Sequence, residues 1–158
     1  MNAVSKVLFA MAVILFQSCD TDLVLDRSQV FEGRAWYFKD IPQFEAVIND
    51  TTAMYDVLVN ARINNDYPYS NLFVLMTRIS PSGDTSQVRR ELTLFNPDGS
   101  PTGMRKGTVL EYRVPVIKGQ VFEESGQYTF LLEQNMRNNT LPGVLDIGLA
   151  IERSGERF

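Results

Sequence analysis

The most informative absence in this 158-residue chain is histidine, of which there is none. Without histidine the chain has no Ser-His-Asp triad, no imidazole general base and no imidazole ligand for a metal. A glycine-rich phosphate loop between a strand and a helix is also absent from the sequence. We therefore expect no cofactor and no metal site, and the chain is not predicted to be an enzyme.

Cysteine is nearly absent as well, because Cys19 is the only one in the chain. It follows a typical secretory signal, in which Lys6 supplies the positive charge and residues 7–16 form an apolar segment too short to span a bilayer. Residues 16–19, Phe-Gln-Ser-Cys, resemble a lipobox, although an ordinary signal peptide with an incidental cysteine would look similar. We predict a lipoprotein signal peptide over residues 1–18 and lipidation of Cys19.

Lipidation of Cys19 has two consequences. Several acyl chains, palmitate among them, give stable rather than marginal membrane anchoring. The exported domain is then left without a disulfide, so core packing must stabilise it. Residues 20–27 are polar and acidic with isolated leucines, and we interpret residues 19–28 as the lipidated cysteine and a tether.

Basic residues do not predominate either: 15 Lys and Arg stand against 19 Asp and Glu, which gives a formal net charge of −4. This balance, and the lack of a basic stripe, argues against nucleic acid as a partner. Residues 29–158 have the length and the ordinary hydrophobic fraction of one globular domain.

Apolar and polar residues alternate with a period of two along several segments, which is typical of half-buried antiparallel strands. The clearest are residues 55–63, 127–134 and 144–151. Further strand candidates are residues 30–38, 44–48, 72–79, 87–95 and 112–117, the last with an edge or bulge at Pro115. A turn is expected at Lys118-Gly119. The pattern predicts one antiparallel β-sandwich domain, with immunoglobulin-like and jelly-roll-like connectivity both open.

The segment that precedes the second of these clear strands has the spacing of a tyrosine corner. In residues 124–128, Glu-Ser-Gly-Gln-Tyr, the hydroxyl of Tyr128 is expected to bond back to nearby backbone at the edge of the sandwich.

Two blocks carry a resemblance to a known family. Residues 126–152 contain Glu-Gln-x-Met-Arg, Leu-Pro-Gly and Asp-Ile-Gly-Leu in order. Residues 60–72 contain an Asn-x-Arg strand end followed by Asp-Tyr-Pro-Tyr-Ser-Asn-Leu. Both blocks resemble the gliding-motility lipoprotein family GldH of the Bacteroidota. The resemblance implies a non-catalytic, lipid-anchored accessory of gliding and its associated secretion machinery. Its partners would be unidentified envelope proteins, and its location the cell envelope, at the periplasmic face of the outer membrane.

The two blocks also supply the candidate interaction surface, because Tyr, Pro and Arg on loops are common at protein interfaces. The alternative is that these tyrosines pack back over the end of the sandwich, and that an arginine forms a buried ion pair. The candidate residues are Arg62, Asp66, Tyr67, Pro68, Tyr69, Asn71, Glu133, Gln134, Arg137, Pro142, Gly143 and Asp146.

Three other hypotheses compete with this one. A glycan-binding module would present Trp36, Tyr67 and Tyr69 as a flat exposed platform. A carboxylate-based glycosidase would need two acids in one cleft, drawn from Glu111, Glu133 and Asp146, with one pKa raised by an apolar setting. A structural calcium could bind at residues 64–66 or 98–99, although both segments are more simply turns.

Overall fold

The computed structural model describes residues 22–156, and nearly all of their regular structure is β. One turn of 3-10 helix, Glu32–Arg34, is the exception in this range. No helix among the described residues is long and apolar enough to cross a membrane. The strands are β1 Leu23–Val30, β2 Ala35–Tyr37, β3 Gln43–Ile48, β4 Ala53–Asn64, β5 Asn71–Ile79, β6 Thr85–Thr93, β7 Met104–Lys106, β8 Val109–Val121, β9 Gly126–Gln134, β10 Thr140–Pro142 and β11 Val144–Glu156.

Two antiparallel sheets form the predicted sandwich. One has the strand order β1-β11-β4-β8-β7 and the other β3-β9-β5-β6, while β2 and β10 form a small third sheet. The predicted alternation is confirmed where both sheets face the core. In β4 Val57, Val59, Ala61 and Ile63 are buried, and β9 contributes Tyr128, Phe130 and Leu132 from the opposite sheet. β9 and β11, which only the short β10 separates along the chain, therefore belong to different sheets.

The tyrosine corner is confirmed. The Tyr128 hydroxyl donates to the Glu124 carbonyl at 3.0 Å, and the ring of Tyr128 packs 4.7 Å from the ring of Phe122. This bond joins the β8–β9 connection to the beginning of strand β9.

Removing this hydroxyl gives the first prediction. Tyr128→Phe should lower the free energy of unfolding by about 1 kcal/mol, the typical net contribution of one buried hydrogen bond. Urea denaturation measures the change as a lower midpoint at constant slope. Tyr37→Phe is the control, because Tyr37 is exposed and its change should stay within about 0.5 kcal/mol. Equal effects of the two changes would contradict the role given to the corner.

The predicted tether is wrong from Leu23 onward. These residues form β1, which pairs with β11 from Leu23–Glu152 to Val30–Asp146. Because β1 lies at a sheet edge, most of its side chains are exposed on both faces and its composition resembles that of a linker. The predicted signal peptide and Cys19 lie outside the described residues.

The strand candidate at residues 30–38 is also wrong as a single strand. Gly33 and Arg34 both have positive φ, 76° and 55°, and this left-handed turn separates β1 from β2.

The turn expected at Lys118-Gly119 is instead a bulge inside β8. Gly119 has φ 63° there, and its N–H donates to the Asp56 carboxylate at 2.8 Å.

Pro115 behaves as predicted, since it lies where the pairing of β8 with β4 shifts register. Short β7 pairs only with residues 109–111 of β8, so β8 is an edge strand over most of its length.

The strand registers place the connections at two ends of the sandwich. The end that carries Asp22 and Glu156, here called the proximal end, also contains the turns at residues 49–52, 80–84 and 122–125. The opposite end, here called the distal end, contains the crossings at residues 31–42, 65–70, 94–103 and 135–143. Both family-like blocks therefore contribute a crossing to the distal end.

Candidate interaction surface

The two blocks pack against each other at Gly143. The Asn64 N–H donates to the Gly143 carbonyl at 2.8 Å, and the Gly143 N–H donates to the Arg34 carbonyl at 2.9 Å. Gly143 has φ 80°, and a Cβ built on it would lie 2.3 Å from the backbone nitrogen of Tyr67. A glycine is required here because three crossings meet with no space for a side chain.

Tyr67 and Gln134 hold these crossings from inside. Tyr67 is 7% exposed, its hydroxyl donates to the Asn71 carbonyl at 2.7 Å, and burial raises the pKa of that hydroxyl. Gln134 is equally buried, and its side-chain amide donates to the Asn138 carbonyl at 2.8 Å and accepts from the Met136 N–H at 2.9 Å. For these two residues the structure supports packing over the end of the sandwich rather than direct contact with a partner.

The other predicted site residues are divided among three places. At the distal end Asp66, Pro68, Arg137 and Pro142 are exposed, and Tyr69 and Asn71 are half-buried. Glu133 pairs in register with Leu75 on the outer face of the four-stranded sheet. Arg62 and Asp146 lie on the outer face of the five-stranded sheet. The structure thus brings the loop residues together but leaves Glu133 apart from Asp146.

Arg62 and Asp146 form an ion pair, which is one of the pairings that the sequence left open, with Asp146 buried and the Arg62 side chain 47% exposed. Arg62 Nε lies 2.5 Å from Asp146 Oδ2, and Asp146 is 2% exposed. The two residues are register partners, and Glu111 is the next partner of Arg62 across the sheet. Lys106 pairs with Glu111 at 2.6 Å, so charges of opposite sign alternate along the sheet. Burial raises the pKa of Asp146, and this effect exceeds the lowering by Arg62.

The raised pKa of Asp146 predicts a pH dependence of stability. Between the ordinary value of 3.8 and the raised pKa, the folded state holds a proton that the unfolded state has released. Wild type should therefore lose stability relative to Asp146→Asn as pH rises through this window. Urea denaturation of both proteins from pH 3 to 7 measures the difference. A difference that stays constant, or rises with pH, would contradict the burial effect.

The carboxylate hypothesis is met only in part. Glu111 and Asp146 line one groove of about 410 Å³, whereas Glu133 lies on the other sheet. Each carboxylate in the groove is held by a cation, and Arg62 is on the strand between them. This arrangement favours an ion-paired ladder that stabilises the sheet face over an acid–base pair.

The two calcium candidates are turns in which a side-chain oxygen accepts a hydrogen bond from a backbone N–H of the same turn. Asp98 accepts from the Ser100 N–H at 2.9 Å, and Asn64 Oδ1 accepts from the Asp66 N–H at 3.0 Å. Among residues 22–156 no group of three or more acidic residues is placed to hold a metal ion.

The aromatic platform expected of a glycan-binding module is not formed. Trp36 is fully buried, stacks on Phe31 at 5.4 Å, and donates its indole N–H to the Asp40 carbonyl at 2.7 Å. Tyr67 is buried as well. Only Tyr69 of the three proposed residues is partly accessible.

A different set of apolar side chains is exposed at the distal end. Tyr37, Phe38 and Ile41, here called the aromatic patch, are 39%, 39% and 43% exposed. The rings of Tyr37 and Phe38 meet edge to face at 4.8 Å, and the Phe38 N–H donates to the Asn139 carbonyl at 2.8 Å. The patch therefore adjoins the crossing that carries Arg137.

This patch was not predicted from the sequence, because residues 30–38 were expected to form one strand. The signal was present in Gly33, which breaks the strand, and in Pro42, which follows the turn. Large apolar side chains left exposed beside polar loops are characteristic of protein-binding surfaces.

Comparison with known proteins places these features in a family context. The family model described as GldH lipoprotein matches residues 23–151. A gliding motility lipoprotein GldH homolog of Christiangramia forsetii is 34% identical over 160 residues, covering 97% of this chain and 98% of the relative. Gliding motility lipoprotein GldH of Flavobacterium johnsoniae is 31% identical over 156 residues, covering 94% of this chain and 96% of the relative.

Proposed function

The chain belongs to the GldH lipoprotein family, and from that premise we propose that it is a non-catalytic interaction component of the gliding machinery and of the secretion machinery linked to it. It is a membrane-anchored lipoprotein of the cell envelope. Cys19 carries the acyl chains in this proposal, and the domain is held at the periplasmic face of the outer membrane. Its partners are other envelope proteins of the same machinery.

The observation that carries the proposal is the construction of the distal end. Backbone hydrogen bonds from Asn64 to Gly143 and from Gly143 to Arg34 join three crossings there. The buried side chains of Tyr67 and Gln134 each brace one crossing from inside. The crossings in turn present both the aromatic patch and Arg137 to solvent. A rigid platform with exposed aromatic and arginine side chains costs little conformational entropy when a partner binds, because the backbone is already ordered.

A capture experiment tests the proposal. Tagged wild type and a Phe38→Ser, Arg137→Ala double variant are expressed in the native organism, crosslinked in intact envelopes and purified. We expect wild type to recover discrete envelope proteins and the variant to recover them at least about tenfold less, since loss of one interface anchor typically costs 1–2 kcal/mol or more.

The matched control is Met104→Ser, Arg105→Ala on β7, which also removes one exposed apolar side chain and one exposed arginine. It should recover the same proteins as wild type. Equal recovery by all three proteins would show that the aromatic patch and Arg137 are not the docking surface. Recovery of no protein by lipidated wild type would count against the interaction role itself.

A further inference from the structure

Strand β1 determines which end of the sandwich lies nearest the lipid anchor. The strand begins at Leu23, four residue steps after Cys19, so the two Cα atoms lie within about 14 Å even in a fully extended connection. Leu23 pairs with Glu152 at the proximal end, and the Arg153 N–H donates to the Asp22 carbonyl at 2.6 Å. The eight residues of β1 span about 25 Å. The connection is therefore too short for the domain to stand upright on its distal end, which would raise Leu23 about 25 Å above the membrane surface.

The proximal end exposes apolar side chains beside this attachment point. Leu23, Val24 and Val47 are 45%, 37% and 54% exposed. They line one side of a depression of about 480 Å³ whose other lining residues are Asp22, Asn49, Asp50, Tyr55 and Arg153. Val24 lies where the pairing of β1 with β11 shifts register, which turns its side chain away from the regular alternation. These three residues are a large share of the exposed large hydrophobic residues of the described chain. Apolar side chains next to an acyl anchor can be buried at the surface of the bilayer that holds the anchor.

We infer that the proximal end rests on the bilayer that holds the acyl chains, with Leu23, Val24 and Val47 against the lipid. The distal end then points away from the membrane and presents the aromatic patch to proteins above the surface. This inference rests on the proposed anchor at Cys19. The turns at the proximal end carry Asp84, Glu123 and Glu124 in addition to Asp50, which pairs with Arg153 at 3.0 Å, so contact with zwitterionic headgroups is favoured over contact with anionic ones.

The cysteine content makes the orientation measurable. Once Cys19 is bound to lipid through its sulfur, an introduced cysteine is the only thiol of the protein. Asn49→Cys at the proximal end and Asn138→Cys at the distal end are matched exposed positions for one fluorophore. Both lipidated proteins are reconstituted in phosphatidylcholine vesicles with and without nitroxide-labelled lipid. We expect several-fold stronger quenching at position 49 than at position 138.

A second comparison tests the apolar contact. Val47→Gln should reduce quenching at position 49, whereas Val30→Gln should not, because Val30 lies at the distal end of β1, although at 66% it is more exposed than Val47 at 54%. Equal quenching at the two probe positions, or stronger quenching at position 138, would overturn the inferred orientation.

Co-flotation with the vesicles is scored separately. A protein that fails to float would overturn the anchor, and with it the inference, whereas a floating protein with equal quenching overturns the orientation alone.

Discussion

Gly143→Ala is expected to lower the free energy of unfolding by about 3 kcal/mol. A left-handed backbone costs an L-residue about 1–2 kcal/mol, and forcing a methyl group into a packed site costs about 1–3 kcal/mol more. The new Cβ would lie 2.3 Å from the Tyr67 nitrogen and 2.7 Å from Asn64 Oδ1. Neither atom can withdraw without moving the backbone or breaking the Asn64–Asp66 turn.

Gly99→Ala is the matched control for this effect. Gly99 has φ 83°, close to that of Gly143, but a Cβ there would meet no described atom within 4 Å. Gly99→Ala should lower the free energy of unfolding only by the cost of the left-handed backbone, about 1 kcal/mol. Thermal or urea unfolding of the two variants separates backbone strain from steric overlap. Equal losses would show that the packing of the two blocks on Gly143 is not tight.

Trp36→Ala is expected to cost about 3–5 kcal/mol, the range for deleting a buried aromatic side chain. Trp36 is fully buried, stacks on Phe31 and pairs in register with Leu141 of β10. Its loss opens a cavity under the crossing that carries the aromatic patch. We also expect Trp36→Ala to recover less of the partner proteins, because the positions of Tyr37 and Phe38 depend on the Trp36 side chain.

Fluorescence checks the same residue in wild type. Trp36 is the only tryptophan, so its emission reports burial directly. We expect blue-shifted emission that acrylamide quenches weakly in the folded protein and strongly after unfolding. Tyr37→Ala, next to Trp36 but exposed, should cost less than about 1 kcal/mol. A solvent-accessible Trp36 would contradict the packing and revive the glycan-binding hypothesis.

Much of the fold was predictable because strands with one buried face have a clear period of two. β4 and β9 show it, and each lies between two other strands of its sheet. β1 was missed because an edge strand exposed on both faces has no such period. The bulge at Gly119 was mistaken for a turn because both need a residue that tolerates positive φ.

The structure shows where the segments of the candidate surface lie, and their role as an interaction surface stays a prediction. The blocks that resemble the family do meet at one end, yet Tyr67 and Gln134 are buried supports. Local sequence cannot distinguish a tyrosine that packs inward from one that faces a partner. The pairing of Arg62 with Asp146 was expected only as one of several possibilities, because 84 positions separate the residues and strand register alone brings them together.

The most direct test of the account places a photoreactive amino acid at one of two positions in the lipidated protein. One replaces Phe38 at the distal end, and the other replaces Asp84 at the proximal end. After irradiation of intact envelopes, the account predicts discrete protein adducts from position 38 and none of those adducts from position 84. The same protein adducts from position 84, with none from position 38, would contradict a domain that rests on the membrane and presents its distal end to partners.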